Sequence, residues 1–446
     1  MKIKIAGAGA GKTTTLSELI IDCENSSDDK KNIYCITYTN NATECIHKKL
    51  INHYDILPSN IVVSTIHSFI YSEIIKPYYF LMFGKNFDKI SSIDLGNDFK
   101  YIKYKIKKLE EQNILHVDTF SEKTKWILVK KSSEESYHRR YREIILGKFK
   151  DNCKKIFIDE SQDIDSNMLE IIMKLDSIGI EIELMGDPKQ DLNGFRTLST
   201  LIDKYQDSVE YNSICHRCPQ NHLNLSNTTI PTLERQESDK LFGELNILFE
   251  KDVAVNDLIL EKSYDLMYIY KRNDRYSTEL NSEVNKNFDS LNYELAHFFK
   301  NKFKNKPTLT IERLSYFYSN KMTKDVLINN DCAKAMKILT HGFKMDKEDY
   351  AKIINALKLS YNTQSTVTRV NSIHSIKGRE GYNCLFILTK DLFPYLAGTK
   401  KDRNKISNAL YVGLTRSLDK LTVLITLEIE KEYGRNKIEE LLKNVI

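Results

Sequence analysis

An α/β fold is the class this sequence predicts, and three observations predict it. A short strand-like stretch, Lys2-Ile3-Lys4-Ile5, runs into a glycine-rich turn and then a helix-like pattern. A second apolar strand, Ile156-Phe157-Ile158, ends in two carboxylates, Asp159 and Glu160. A length of 446 residues gives core enough for roughly two to four domains.

The first element is the phosphate-loop candidate Ala6-Gly7-Ala8-Gly9-Ala10-Gly11-Lys12-Thr13, followed by Thr14. Small residues let backbone N–H groups close around phosphate oxygens, and the helix that follows presents its positive end to them. Lys12 would reach the β- and γ-phosphates, and Thr13 would hold Mg²⁺. The second element places Asp159 at a strand end facing the ligand crevice of an open α/β sheet. There Asp159 would hold Mg²⁺ and Glu160 would orient and deprotonate an attacking water.

Bulk properties narrow the class. The chain is 41% hydrophobic and 28% charged, as an ordinary soluble protein is. It has no apolar run long enough to span a membrane and no secretory segment ahead of its eight cysteines, so reduced thiols in a cytoplasm are expected. Cys215-x-x-Cys218 lacks the second pair that a zinc site needs, and no metal is expected there. The net charge is +5, but residues 100–150 carry fourteen Lys/Arg against seven Asp/Glu. Such a region suits a phosphate backbone or, equally, a solvated face.

Further boxes follow in order. They are Thr37-Tyr38-Thr39-Asn40-Asn41-Ala42, Ser64-Thr65-Ile66-His67-Ser68-Phe69, Asp159-Glu160-Ser161-Gln162-Asp163, Gly186-Asp187-Pro188-Lys189-Gln190 with Gly194-Phe195-Arg196, and His216-Arg217-Cys218. Ile269-Tyr270-Lys271-Arg272-Asn273, residues 372–380 and residues 411–417 complete the series. Together they resemble motifs Ia to VI of the UvrD/Rep/PcrA-like superfamily 1 helicases, and they span residues 6 to 417.

The resemblance implies two RecA-like parallel-sheet motor domains, with a helical insertion in the first and a reduced helical insertion in the second. The implied limits are 1–70 and 151–211 for domain 1A, 71–150 for insertion 1B, 212–306 and 363–446 for domain 2A, and 307–362 for a reduced 2B-like insertion. ATP with Mg²⁺ would lie between the domains, cradled by Gly7, Ala8, Gly9, Ala10, Gly11, Lys12, Thr13 and Thr14. Gln190 would sense the γ-phosphate, and Arg217 and Arg416 would enter as cationic fingers. His216 would stack on the base and Glu380 would meet the ribose. Tyr38 and Phe195 would stack on nucleic-acid bases, with Thr37, Thr65, His67, Arg196 and His374 beside them. Lys377 would belong to the coupling side or, equally, be structural.

The family's adenine-reading glutamine box has no counterpart ahead of Ala6, so broader nucleotide use is expected. Within 71–150, basic and aromatic residues interleave at Tyr101, Tyr104, Trp126 and residues 138–142, as on a DNA-facing surface or, equally, a packed amphipathic helix. Lys300, Lys302, Lys304 and Lys306 make another cationic stretch, and a charged helix is expected over 431–445. Two roles stay open. One is a single-stranded DNA translocase or helicase, 3′ to 5′ by family, working at DNA ends or forks. The other is a sensor subunit that regulates a partner nuclease, as in compact UvrD-like components of anti-phage systems such as Gabija.

Overall fold

The computed structural model describes residues 1–26, 29–96, 98–131, 133–228, 230–255, 258, 264–278, 282–303, 308–329, 331–362 and 368–443. In the first domain β1 (Lys2–Ala6), β2 (Asn32–Thr37) and β3 (Ile61–Thr65) precede a helical excursion. Inside it β4 (Lys89–Ser91) and β5 (Ile114–His116) pair with each other. Then β6 (Cys153–Ile158), β7 (Glu181–Gly186) and β8 (Val209–Asn212) complete a parallel sheet in the order β3-β2-β6-β7-β1-β8. Parallel strands are covered on both faces and therefore need continuous apolar runs. Ile156, Phe157 and Ile158 meet that demand, each at most 2% exposed.

The second domain repeats the plan with β9 (Glu244–Phe249), β10 (Leu266–Ile269), β11 (Tyr276–Thr278), β12 (Thr368–Ser372), β13 (Gly381–Leu388) and β14 (Ser417–Ile425). Their order is β11-β12-β10-β13-β14-β9, again parallel. The α/β class with two parallel sheets is therefore what the chain adopts. Parallel neighbours require crossovers, so the C-terminal strand ends of each sheet gather on one edge. The boxes follow those ends: Ala6 leads into the phosphate loop, Thr37 into 38–42, Ile158 into the Asp-Glu pair and Gly186 into 187–190.

The first insertion holds the helices Lys76–Phe83, Phe99–Glu111, Phe120–Leu128 and Ser136–Asn152. Met82, Phe120, Ile127, Leu146 and Phe149 share one buried core with Ile3 and Ile156, so these helices extend the first sheet's core. Residues 138–142 divide by face. His138 and Arg142 are buried, Arg142 bonded to Glu134 at 2.6 Å and to the Ile127 carbonyl at 3.1 Å, whereas Arg139, Arg140 and Tyr141 are exposed. Trp126 is half-buried under the ammonium groups of Lys123 and Lys131.

The second insertion is a bundle of the helices Ser282–Lys302, Thr308–Asn329, Cys332–Thr340 and Lys347–Asn362. Its own core includes Leu295, Phe299, Met322, Leu339 and Leu357. The helix Ser282–Lys302, which the sequence pattern puts ahead of the insertion, shares this core. Lys304, Lys306, Pro307 and the return point at 363 lie outside the described residues. Near the C-terminus the expected single helix is two, Leu427–Tyr433 and Arg435–Lys443, because Gly434 takes a φ of 75° between them. Residues 444–446 lie outside the described part.

Candidate nucleotide cleft and nucleic-acid face

Between the two sheets lies a cleft of about 750 Å³. Its floor is the loop from β1 to the helix Lys12–Asn25. Gly9 and Gly11 have φ values of 69° and 74°, which side chains disfavour, so glycine is what lets the loop turn twice and cap the helix. The Lys12 ammonium folds back on the loop and donates to the carbonyls of Ala6 and Gly7, each at 3.2 Å. Thr13 and Thr14 line the same space, and Lys49 donates to the Thr14 hydroxyl.

Asp159 and Glu160 stand opposite. Asp159 is 3% exposed, and its Oδ1 accepts the Glu160 N–H at 2.9 Å. Burial, and then the Glu160 charge, push the Asp159 carboxyl up to about 7. Burial also works against the Glu160 charge, but Lys12 and Lys377 outweigh it and hold that carboxyl below its usual range. Glu160 adopts a left-handed φ of 49° and accepts a bond from Gln162 Nε2. Adjacent carboxylates kept from water, with a hydroxyl residue nearby, form the hard oxygen donor set that a divalent cation takes. Asp159 and Thr13 are the residues that would hold it.

The β7 loop supplies Gln190, whose Nε2 donates to Asp187 Oδ2 at 2.9 Å. Burial would raise Asp187, but Lys189 at 2.9 Å and then Lys12 hold it down at about 2. Asp191 accepts the N–H groups of Gly194, Phe195 and Arg196 and thereby shapes the loop that exposes Phe195.

From the second domain Arg217 and Arg416 reach the cleft wall. Arg217 is paired at 2.6 Å with Glu380, the residue expected at the ribose. Arg416 is fully buried, and its described partners are the carbonyls of Val412 at 2.9 Å and Arg379 at 3.3 Å and the Thr415 hydroxyl at 3.2 Å. No carboxylate pairs with it among the described residues, and burial and then the Arg217 charge lower its pKa. A buried cation without a counter-ion is costly, and an anion in the cleft would supply one. His216 is exposed at the rim, and its N–H donates to the Gly9 carbonyl at 2.9 Å.

Of the residues expected to face nucleic acid, Tyr38 and His374 line the nucleotide cleft itself, and the others lie outside its lining. His67, Phe195, Arg196 and His374 are exposed. Thr65 spends its hydroxyl on capping, accepting the Ser68 N–H at 3.3 Å. Tyr38 is half-buried and donates to the Asp163 carbonyl. Thr37 is fully buried, its hydroxyl bonded to Thr39 O at 3.1 Å and Thr43 Oγ1 at 2.6 Å; it shapes the strand end rather than meeting a ligand. In the first insertion the helix Phe99–Glu111 buries no residue, and the ammonium groups of Lys103, Lys105 and Lys108 lie over Phe99, Tyr101 and Tyr104 at 4.5 to 4.8 Å. Cys215 and Cys218 are both buried behind the phosphate loop, with the Cys218 N–H donating to the Cys215 Sγ at 3.4 Å. Among the described residues no group of three His, Cys, Asp or Glu could hold a metal ion, and no helix is long and apolar enough to cross a membrane.

Sequence reasoning missed several residues that tie the cleft together. Asn408 Nδ2 reaches across to the carbonyls of Pro188 at 3.3 Å and Asp191 at 2.9 Å. Lys377, by contrast, was expected on the coupling side, and it pairs with Asp163 at 2.6 Å. Gln236 lies against the phosphate loop although it belongs to no box. Its one trace in the sequence is Gly7, where an added Cβ would sit 2.2 Å from the Gln236 side chain.

A family model described as an AAA domain matches residues 1–196. The Gabija protein GajB of Bacillus cereus (strain VD045) is 25% identical over 510 aligned positions, covering 99% of this chain and 96% of that protein. The ATP-dependent DNA helicase Rep of Buchnera aphidicola subsp. Schizaphis graminum is 27% identical over 43% of this chain and 35% of Rep. The RecBCD enzyme subunit RecB of Borreliella burgdorferi is 25% identical over 42% of this chain and 14% of RecB.

Proposed function

Starting from a chain of the UvrD-like superfamily 1 helicase type, we propose that it hydrolyses ATP in the cleft between its two sheets and uses the cycle to move along single-stranded DNA, 3′ to 5′. The observation that carries the reading is Arg416, a fully buried guanidinium at the cleft wall with no carboxylate partner among the described residues. It lies in the same cleft as Lys12 and the Asp159–Glu160 pair. That cleft is balanced when a polyphosphate occupies it.

The parts divide as follows. Loop N–H groups and Lys12 hold the phosphate tail, and Lys12 leaves the carbonyls of Ala6 and Gly7 to do so. A divalent cation at Asp159 and Thr13 would draw charge from the phosphates. Glu160, kept ionised by Lys12 and Lys377, accepts a proton from the attacking water. Arg217 and Arg416 stabilise charge that develops on the transferred group. Arg217 must first part from Glu380, so turnover depends on how the second domain is seated. Gln190 reports the phosphate's presence through the loop that carries Phe195. Phe195 supplies a ring for bases, and Lys377 with Asp163 carries the signal between domains.

The deciding experiment is ATP turnover by the purified protein with single-stranded DNA, duplex DNA or RNA, beside Glu160→Gln. Strong stimulation by single-stranded DNA that vanishes in Glu160→Gln supports the motor. A second reading, a sensor subunit that regulates a partner nuclease in anti-phage defence, is favoured by similarity to GajB along nearly the whole of both chains. Feeble turnover on every nucleic acid, restored when a nuclease encoded by a neighbouring gene is added, would select it.

A further inference from the structure

The peptide unit of Ala8, in the middle of the phosphate loop, is gripped from both sides by the second domain. Its N–H donates to the Tyr411 hydroxyl at 2.9 Å. Tyr411 donates to Gln236 Oε1 at 2.6 Å, and Gln236 Nε2 donates back to the Ala8 carbonyl at 3.0 Å. Three hydrogen bonds thus close a ring, and Ala8, Gln236 and Tyr411 are each at most 2% exposed. The Ala8 side chain itself packs in the second domain's core with Leu225, Ile230 and Tyr411.

Gln236 is held ready for this contact. Asn227 accepts its N–H at 3.1 Å and donates to its carbonyl at 2.8 Å. The next residue, Glu237, exchanges backbone bonds with Ser213 and Cys215, each at 2.8 Å, which extends the support to the turn bearing His216 and Arg217. A residue larger than glycine at position 7 would collide with the Gln236 amide. Tyr411 also faces the Lys189 ammonium at 5.2 Å, one residue from Gln190. The ring therefore sits where the phosphate loop, the Gln190 segment and the helix leading to Arg416 meet.

We infer that Gln236 is a positioning residue that makes the phosphate loop's grip on nucleotide depend on the seating of the second domain. This rests on the ATPase reading. The ring's polar groups are dry, and the two bonds to Ala8 form only while the domains are together. Parting them leaves both faces of the Ala8 peptide unpaired inside the loop. The loop's N–H directions, and with them its phosphate affinity, are then held by the first domain alone.

The test is ATP turnover with saturating single-stranded DNA across a range of ATP concentrations, for Gln236→Leu, Tyr411→Phe and the double variant, each with a melting curve taken without nucleotide. Gln236→Leu keeps the bulk and removes both polar atoms. Loss of one buried hydrogen bond with its partner left unpaired corresponds to a rise in KM of about 10-fold. Each single variant is expected to show that rise with kcat within about twofold, and the double variant to be no worse than either single, because breaking one ring twice costs once. An unchanged KM in a Gln236→Leu protein that melts like the wild type overturns the inference, and so do fully additive effects. If Gln236→Leu does not fold, Tyr411→Phe decides alone, since it removes one hydroxyl and must still raise KM. Lys12→Ala separates the two claims: turnover that survives it overturns the ATPase reading, whereas turnover lost in it beside a normal Gln236→Leu overturns only the role of Gln236.

Discussion

Arg416 shows how a single residue divides stability from function. Its guanidinium is buried among carbonyls and one hydroxyl with no acid to balance it among the described residues, an arrangement that a stable fold alone would not select. Replacing it with methionine, of similar length and no charge, should leave the melting temperature of the nucleotide-free protein unchanged or higher. The same change should lower DNA-stimulated turnover by about 10³-fold or more, as loss of a transition-state arginine does. Calorimetry beside a turnover assay checks both halves; a large fall in stability would make Arg416 a structural residue. Arg217 differs, because Glu380 already satisfies it at 2.6 Å. The two arginines therefore differ in balance, one paired with a carboxylate and one with none among the described residues. A sequence shows both as arginines in motif positions, and only packing tells them apart.

At the scale of elements, the second sheet is fastened by a buried carboxylate. Glu250, after β9, accepts bonds from the Arg275 guanidinium at 2.6 and 3.0 Å, from the Tyr276 hydroxyl at 2.8 Å and from the Leu427 N–H at 2.9 Å. It ties β9, β11 and the helix Leu427–Tyr433 into one corner. Glu250→Ala leaves the Tyr276 hydroxyl and the Leu427 N–H without this partner, while Arg275 keeps Glu428 at 2.7 Å, and it should cost about 1–3 kcal/mol, measured by denaturant unfolding. His222, in the helix Gln220–Asn227, makes a pH-dependent contribution. Burial lowers its pKa from the ordinary 6.5 to about 4. The unfolded chain therefore binds the extra proton first as pH falls. Stability from this site is complete above 6.5 and is lost as pH drops toward 4, by roughly 3 kcal/mol. His222→Gln should flatten the acid limb of a stability–pH curve over that window; an unchanged limb would remove His222 from the account. These fasteners were not legible in the sequence, whereas the phosphate loop and the Asp159–Glu160 pair were. The latter are short segments whose chemistry needs consecutive residues. Glu250, Arg275 and Leu427 acquire meaning only when distant elements meet, and a plain acidic residue between strands carries no local mark of that. The helical insertions were legible as helices, but the faces of residues 138–142 were decided by which side met the core.

Taken whole, the molecule is two sheets joined across a cleft by few polar bridges, so coupling should be breakable without unfolding either half. Lys377 to Asp163 is the one to break, since it links the loop after β12 to the loop after β6. Lys377→Met should remove most of the stimulation by single-stranded DNA and lower the turnover seen without DNA by less, since Lys12 still faces Glu160. Equal loss of both activities would place Lys377 in the hydrolytic site instead. Motif order made the two-domain plan readable from sequence, yet the bridges Asn408–Pro188, Gln236–Ala8 and Lys377–Asp163 span 220, 228 and 214 positions and follow no local pattern. The strand order has a further consequence, for synthesis. β1 lies between β7 and β8, and its partners are residues 183–186 and 209–212. During synthesis β1 must wait unpaired until residues 183–212 have followed, and β9 waits likewise for β14. Non-local parallel pairing is slow and leaves apolar strands open to association. The strand that leads into the phosphate loop is therefore braced on both sides only once β8 emerges, and chains stalled short of residue 212 should be the ones that chaperones hold.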